Sequence, residues 1–144
     1  MRRCAPRLTI PSRTSQLARV RARVACWAEE AGLAEKAAQA LQLAVDEACA
    51  NAIEHGYGGR PDGRVEVEAA FGKDALTVTV RHRGDPYDPE RYRPPELRRM
   101  LEGHRVHGYG LHLMHRLVDE IAFRLRDGAS EVCLTKRRNG RHEA

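Results

Sequence analysis

Glu47, Asn51 and His55 stand at four-residue intervals in the chain. On an α-helix, the spacing i, i+4, i+8 sends three side chains along one side. A carboxylate in such a row can accept a proton, and an amide oxygen can ligate a hard cation such as Mg²⁺. Positioning and charge neutralisation of this kind are what phosphoryl transfer requires. A second set of candidates is the glycines at 84, 108 and 110. They bracket a polar stretch, and Gly108-Tyr109-Gly110 opens an apolar, helix-periodic segment, so backbone N–H groups there would face phosphates in the field of a helix N-terminus. Each signal alone has an ordinary alternative: polar residues on a helix are commonly its solvated side, and a Gly-x-Gly is commonly a turn or a C-cap. Together, and in this order, they point to a nucleotide pocket.

The elements that must position these groups follow from the hydrophobic pattern. Leu8 and Ile10 alternate with polar neighbours before Pro11, which predicts a short first strand, and Ser12, Thr14 and Ser15 are candidate helix caps. Leu17, Val20, Val24, Trp27 and Ala31 repeat at helical spacing until Gly32. A longer helix is predicted from about Glu35 to His55, with Leu41, Val45, Ala48 and Ala52 on one face and glycines at 56, 58 and 59 ending it. Val65 to Phe71 and Leu76 to Val80 alternate around Gly72-Lys73-Asp74 and predict a β-hairpin.

Residues 86–107 hold four prolines and several arginines, too polar and broken for a core element, and read as a mobile flap. A helix with Leu111, Met114, Leu117 and Val118 follows, then strands Ile121 to Leu125 and Ser130 to Thr135 around Asp127-Gly128. The order β-α-α-β-β-flap-α-β-β predicts a single α+β domain over 1–144. Its architecture is a two-layer sandwich, with helices on one face of a mixed, mostly antiparallel sheet.

With those motifs in place the chain resembles the anti-sigma-factor serine/threonine kinases, a branch of the histidine-kinase-like ATPases with the Bergerat-type fold. Residues 43–57, LAVDEACANAIEHGY, look like the family's N box; 80–89, VRHRGDPYDP, are similar to its first glycine box; and 107–114, HGYGLHLM, with 117–121, LVDEI, are similar to its second. The resemblance runs in order from the first strand to Thr135. It implies that Glu47 is the general base toward a serine or threonine hydroxyl, and that Asn51 holds Mg²⁺. It further implies that Gly84 admits the adenine edge, that Gly108, Gly110 and Leu111 wrap the phosphates of ATP under a lid at about 86–107, and that Ser130 stands where the family has a Thr near the adenine. His55 would line the rim.

The implied biology is partner switching: binding of a sigma factor and phosphorylation of a small anti-anti-sigma (STAS-type) protein, by a homodimer. One position departs from the family. His82 replaces the Asp whose carboxylate accepts the adenine amino proton, and a misaligned buried hydrogen bond would weaken ATP by about 1–3 kcal/mol. The alternative this opens is a module that has lost its nucleotide and sequesters its partner by binding alone. Arg19, on the first helix, is a candidate partner contact.

Composition excludes several other classes. At 144 residues the chain is long enough for one core without staples, and 42% hydrophobic with 31% charged residues is ordinary for a globular protein. The absence of an apolar stretch of membrane-spanning length or of a signal-like segment predicts a cytoplasmic protein. The net charge of +5 permits an acidic partner, but no nucleic-acid-binding motif accompanies it, so direct nucleic-acid binding is not expected. His104, His107, His112 and His115 lack the Cys or carboxylate that would complete a zinc site. Cys4, Cys26, Cys49 and Cys133 are scattered singly and read as reduced thiols.

Overall fold

The computed structural model describes residues 4–86 and 114–138. Five strands, β1 (Arg7–Pro11), β2 (Arg64–Phe71), β3 (Ala75–His82), β4 (Glu120–Arg126) and β5 (Ala129–Arg137), form one sheet in the order β1-β2-β3-β5-β4. Every pairing is antiparallel. Helices α1 (Leu17–Ala31) and α2 (Glu35–Asn51) pack on each other and on the central strands. The expected two-layer sandwich is therefore the one found. Most of the expected flap, with Gly108, Gly110 and Leu111, lies outside the described residues; of the helix after it, 114–117 form a helical turn whose Met114 is fully buried.

The strands form where period-two alternation gives them one apolar face. Leu8, Ile10, Val65, Val67, Leu76, Val78, Val80, Val132 and Leu134 all point into a single core that also takes Trp27 and Leu41. Asp127 and Gly128 both adopt positive φ, 52° and 79°, so the β4–β5 hairpin closes on the two residues whose types favour that geometry. Gly32, with φ 77°, ends α1 in the left-handed conformation, as its place after the periodic run predicts.

Four sequence expectations are corrected. Ser12, Thr14 and Ser15 do not cap α1: its N-cap is Gln16, without a side-chain hydrogen bond, and Thr14 to Gln16 form a 3₁₀ turn. The Ser12 hydroxyl is committed elsewhere, donating to the Arg60 carbonyl and accepting from the Gly63 N–H at 3.0 Å, which ties the ends of β1 and β2. The second helix does not run as α-helix to His55; α2 ends at Asn51 and a π turn, Ala52–Gly56, takes its place. β5 continues past Thr135 to Arg137 because Ala75 and Leu76 of β3 still offer it partners. Finally, Cys4 and Cys26 are not separate thiols. The N-terminal segment folds back along α1 and the two form a disulfide, with Cα atoms 6.4 Å apart. Cys49 and Cys133 are free and buried, and burial pushes the Cys49 thiol well above its usual range, with Asp46 adding to the effect.

The outer face of the sheet carries a charge cluster. Glu131 is 2% exposed although it points away from the helices. Its carboxylate is held by Arg81 Nε at 2.6 Å and by Arg124 Nε at 3.4 Å, and Arg81 also reaches Glu66 at 3.0 Å. Two guanidinium groups over one carboxylate keep the buried charge compensated.

Candidate functional site

The site grows from the end of α2. Leu41, Ala44, Val45, Ala48 and Cys49 bury one stripe of that helix against the sheet, which fixes its rotation. Glu47 is then left half-buried beside the stripe, and Asn51, one turn later, is 6% exposed. The Asn51 amide Nδ2 is buried and has no hydrogen-bond partner among the described residues. An amide left unpaired in a protein interior costs about 1–3 kcal/mol, and since the amide can be turned over, either of its polar atoms can face a ligand. His55 belongs to the π turn, so the row of three predicted on a single helix is broken after Asn51.

That π turn is locked onto the end of β3. Asp85 donates its N–H to the Gly56 carbonyl at 2.6 Å. The imidazole of His82 lies so close to Gly56 that an added Cβ there would stand 2.6 Å from two of its ring atoms. Tyr57 meets the same ring edge to face, centroids 5.8 Å apart. The Tyr57 hydroxyl donates to the Arg64 carbonyl at 2.6 Å and accepts from the Arg83 N–H at 3.0 Å, bridging β2 to the residue after β3. At Gly84 an added Cβ would stand 2.0 Å from the Gly56 carbonyl oxygen. The glycine is required there by this backbone contact as well as by any role toward a base.

His82 and Ser130 are register partners across β3 and β5, both on the face that carries Val80, Val132 and the core, and are 2% and 3% exposed. The structure thus brings together His82, Gly84 and Ser130 with the turn that follows Asn51. Sequence reading did not single out Gly56 and Tyr57, which hold this group; Gly56 was visible only as a helix stop.

Burial holds the His82 imidazole below its usual pKa of 6.5, Asp85 opposing the shift, so the ring is neutral at pH 7. The unfolded chain then binds the proton more readily than the folded one, and stability is fully present above about pH 6.5 and lost as pH falls below it. In urea melts the wild-type midpoint is expected to drop between pH 7.5 and pH 5.5, and the drop to shrink in His82→Gln. Equal drops would mean that other groups carry the acid sensitivity.

The donors on α2, a buried amide and a nearby carboxylate, are of the kind that can hold a hard cation. A buried amide without a partner and a carboxylate one turn before it lie on α2, and a neutral imidazole and a hydroxyl are paired on the strands beneath.

Comparison with known proteins agrees. Residues 10–136 match the family model of the histidine kinase-like ATPase domain. The chain is 31% identical over 133 residues to the serine-protein kinase RsbW of Listeria monocytogenes serotype 4a, covering 90% of this chain and 84% of that one. The serine-protein kinases RsbW of Bacillus velezensis and Bacillus subtilis are 31% and 29% identical over 138 residues, covering 92% of this chain and 85% of theirs. Among solved structures, the RsbU and RsbW domains of Rv1364c from Mycobacterium tuberculosis superpose with a TM-score of 0.64 at 24% identity, covering 92% of this chain and 32% of that longer one. The histidine kinase domain of a blue-light-activated kinase from Erythrobacter litoralis gives 0.54 at 19% identity, covering 90% of this chain and 62% of that one. These two likenesses speak for the fold alone.

Proposed function

This chain belongs to the histidine kinase-like ATPase family, and from that premise we propose that it is a serine-protein kinase and anti-sigma factor of a partner-switching system, binding a sigma factor and using ATP to phosphorylate an anti-anti-sigma protein of STAS type. The observation that carries the reading is the similarity to serine-protein kinases RsbW over 90% of this chain, which takes in α2 and its π turn. The orphaned amide of Asn51 supports it locally.

In this reading Glu47 takes the proton from the substrate hydroxyl, and Asn51 holds Mg²⁺ through its amide oxygen. The cation neutralises phosphate charge when bound. His82, Gly84 and Ser130 face the base, while Gly108, Gly110 and Leu111 wrap the phosphates under a lid at about 86–107, with His55 at the rim. The protein works in the cytoplasm as a homodimer; no described helix is long and apolar enough to cross a membrane. Sedimentation of the purified chain tests the dimer.

Titration calorimetry with Mg·ATP, followed by transfer of labelled phosphate to a STAS-type protein, tests the function. Saturable binding with transfer is expected. No heat at millimolar nucleotide and no melting shift would make the chain a binding module instead. His82→Asp restores a carboxylate acceptor for the adenine amino group and is expected to tighten ATP by roughly 5- to 150-fold. An unchanged affinity would take His82 away from the base.

A further inference from the structure

We propose that Cys4 and Cys26 are a reversible thiol/disulfide couple, which a peroxide closes between the N-terminal segment and α1, already held together by hydrogen bonds. The two residues are joined in the structure with Cα atoms 6.4 Å apart, inside the range of about 4.4–6.8 Å that disulfides occupy.

The neighbourhood holds the sulfurs together whether or not the bond exists. Trp27 donates Nε1–H to the Ala5 carbonyl at 3.0 Å, and the Arg23 guanidinium donates to the carbonyls of Ala5 and Arg7 at 3.0 and 2.9 Å. The Cys4 N–H donates to a Glu30 carboxylate oxygen at 3.1 Å. Residues 23, 27 and 30 recur at helical spacing, so one side of α1 grips the segment while Cys26 faces Cys4 from the same side. Reduction therefore leaves two thiols in near contact rather than releasing a free end, and a pre-paired dithiol recloses readily.

Access separates Cys26 from the other cysteines, Cys4 included. Cys26 is half-buried and opens, with Cys4, Arg19 and Arg23, onto a surface cavity of about 450 Å³. Cys49 and Cys133 are both buried. The opening admits a small oxidant to Cys26, and the thiolate is the form that reacts. The Cys26 thiolate attacks one oxygen of hydrogen peroxide, the O–O bond breaks, and hydroxide leaves to become water, giving a sulfenic acid. The Cys4 thiol then attacks that sulfur, the S–O bond breaks, and a second water departs with the thiol proton. Two thiols have lost two electrons to one peroxide, and a dithiol reductant reverses the step. Both cysteines line the cavity, so the bond links its two sides, the N-terminal segment and α1.

The full chain, purified reduced, is treated with one equivalent of hydrogen peroxide and mapped by mass spectrometry without reduction. The expected result is a linked Cys4–Cys26 peptide, Cys49 and Cys133 still alkylatable, and a melting temperature raised by about 5–10 °C. Dithiothreitol should reverse the rise, and Cys4→Ser should show neither the link nor the rise. Separate alkylation of both residues after peroxide would overturn the proposal, as would a bond between chains, one to Cys49 or Cys133, or one that dithiothreitol does not open. Tight retention of one Zn²⁺ per reduced chain, with oxidation blocked, would also overturn it and assign Cys4, Cys26 and Glu30, whose ligand atoms lie within 4.8 Å of one another, to a metal.

Discussion

Glu47→Gln is expected to slow phosphate transfer to a seryl substrate by roughly 10²–10⁴-fold while leaving Mg·ATP affinity and the melting temperature unchanged. The substitution keeps the shape and hydrogen-bonding reach of the side chain and removes only its ability to take a proton. Glu47 is half-buried on the flank of α2, one turn before Asn51, and is not among the residues that build the core. A structural residue would betray itself through a melting shift, and a residue that only binds nucleotide through a change in affinity. Single-turnover transfer together with calorimetry separates the three. Transfer at the wild-type rate would remove Glu47 from the role of base.

The second large effect belongs to a residue that touches no reacting atom. Gly84→Ala places a methyl group 2.0 Å from the carbonyl oxygen of Gly56 and 2.5 Å from its carbon. Both obstacles are backbone, and both are held by the Asp85 N–H bond, so no side chain can swing aside. Destabilisation of about 3 kcal/mol is expected, at the upper end of what overpacking costs. The displaced turn would carry His82 and Tyr57 with it, so ATP binding should weaken alongside. Gly59 is the control, since a Cβ there meets nothing within 4 Å and only its φ of 79° resists the change. Urea melts of the two variants give the comparison. A Gly84→Ala protein as stable as wild type would mean that the π turn is not locked to β3 in solution.

The layers of this fold were readable in the sequence because they rest on periodicity. Val65 to Phe71 alternates, Leu17 to Ala31 recurs at helical spacing, and Gly32 and Asp127-Gly128 stand where the chain needs left-handed backbone. Glu47 and Asn51 were legible for the same reason, since both lie within regular α-helix. The π turn was not. Ala52 to His55 carries no local feature distinguishing i→i+5 from i→i+4 pairing, and the turn exists because Gly56 and Tyr57 are held by β3, far away in sequence. Glu131 escaped in the same way: its place on the outer face was predictable, but its burial depends on Arg81 and Arg124 closing over it. Cys4 and Cys26 are neighbours through contacts that Trp27 and Arg23 make with the N-terminal segment, which no local pattern announces.

The sheet order has a consequence for how freely proteins of this shape can vary. β3 is hydrogen-bonded to β5, and the chain leaving His82 returns at Ser130 only after residues 83–129, which include the edge strand β4. That join depends on the two strand faces and hardly on how many residues separate them in sequence, because the entropy of closing a loop rises only with the logarithm of its length. Doubling such a connection costs about 0.6 kcal/mol. Apart from Gly84 and Asp85 at its start, the buried Met114 and Val118, and β4 at its end, the stretch between His82 and Ser130 can therefore change in length at small expense to the pairing of β3 with β5.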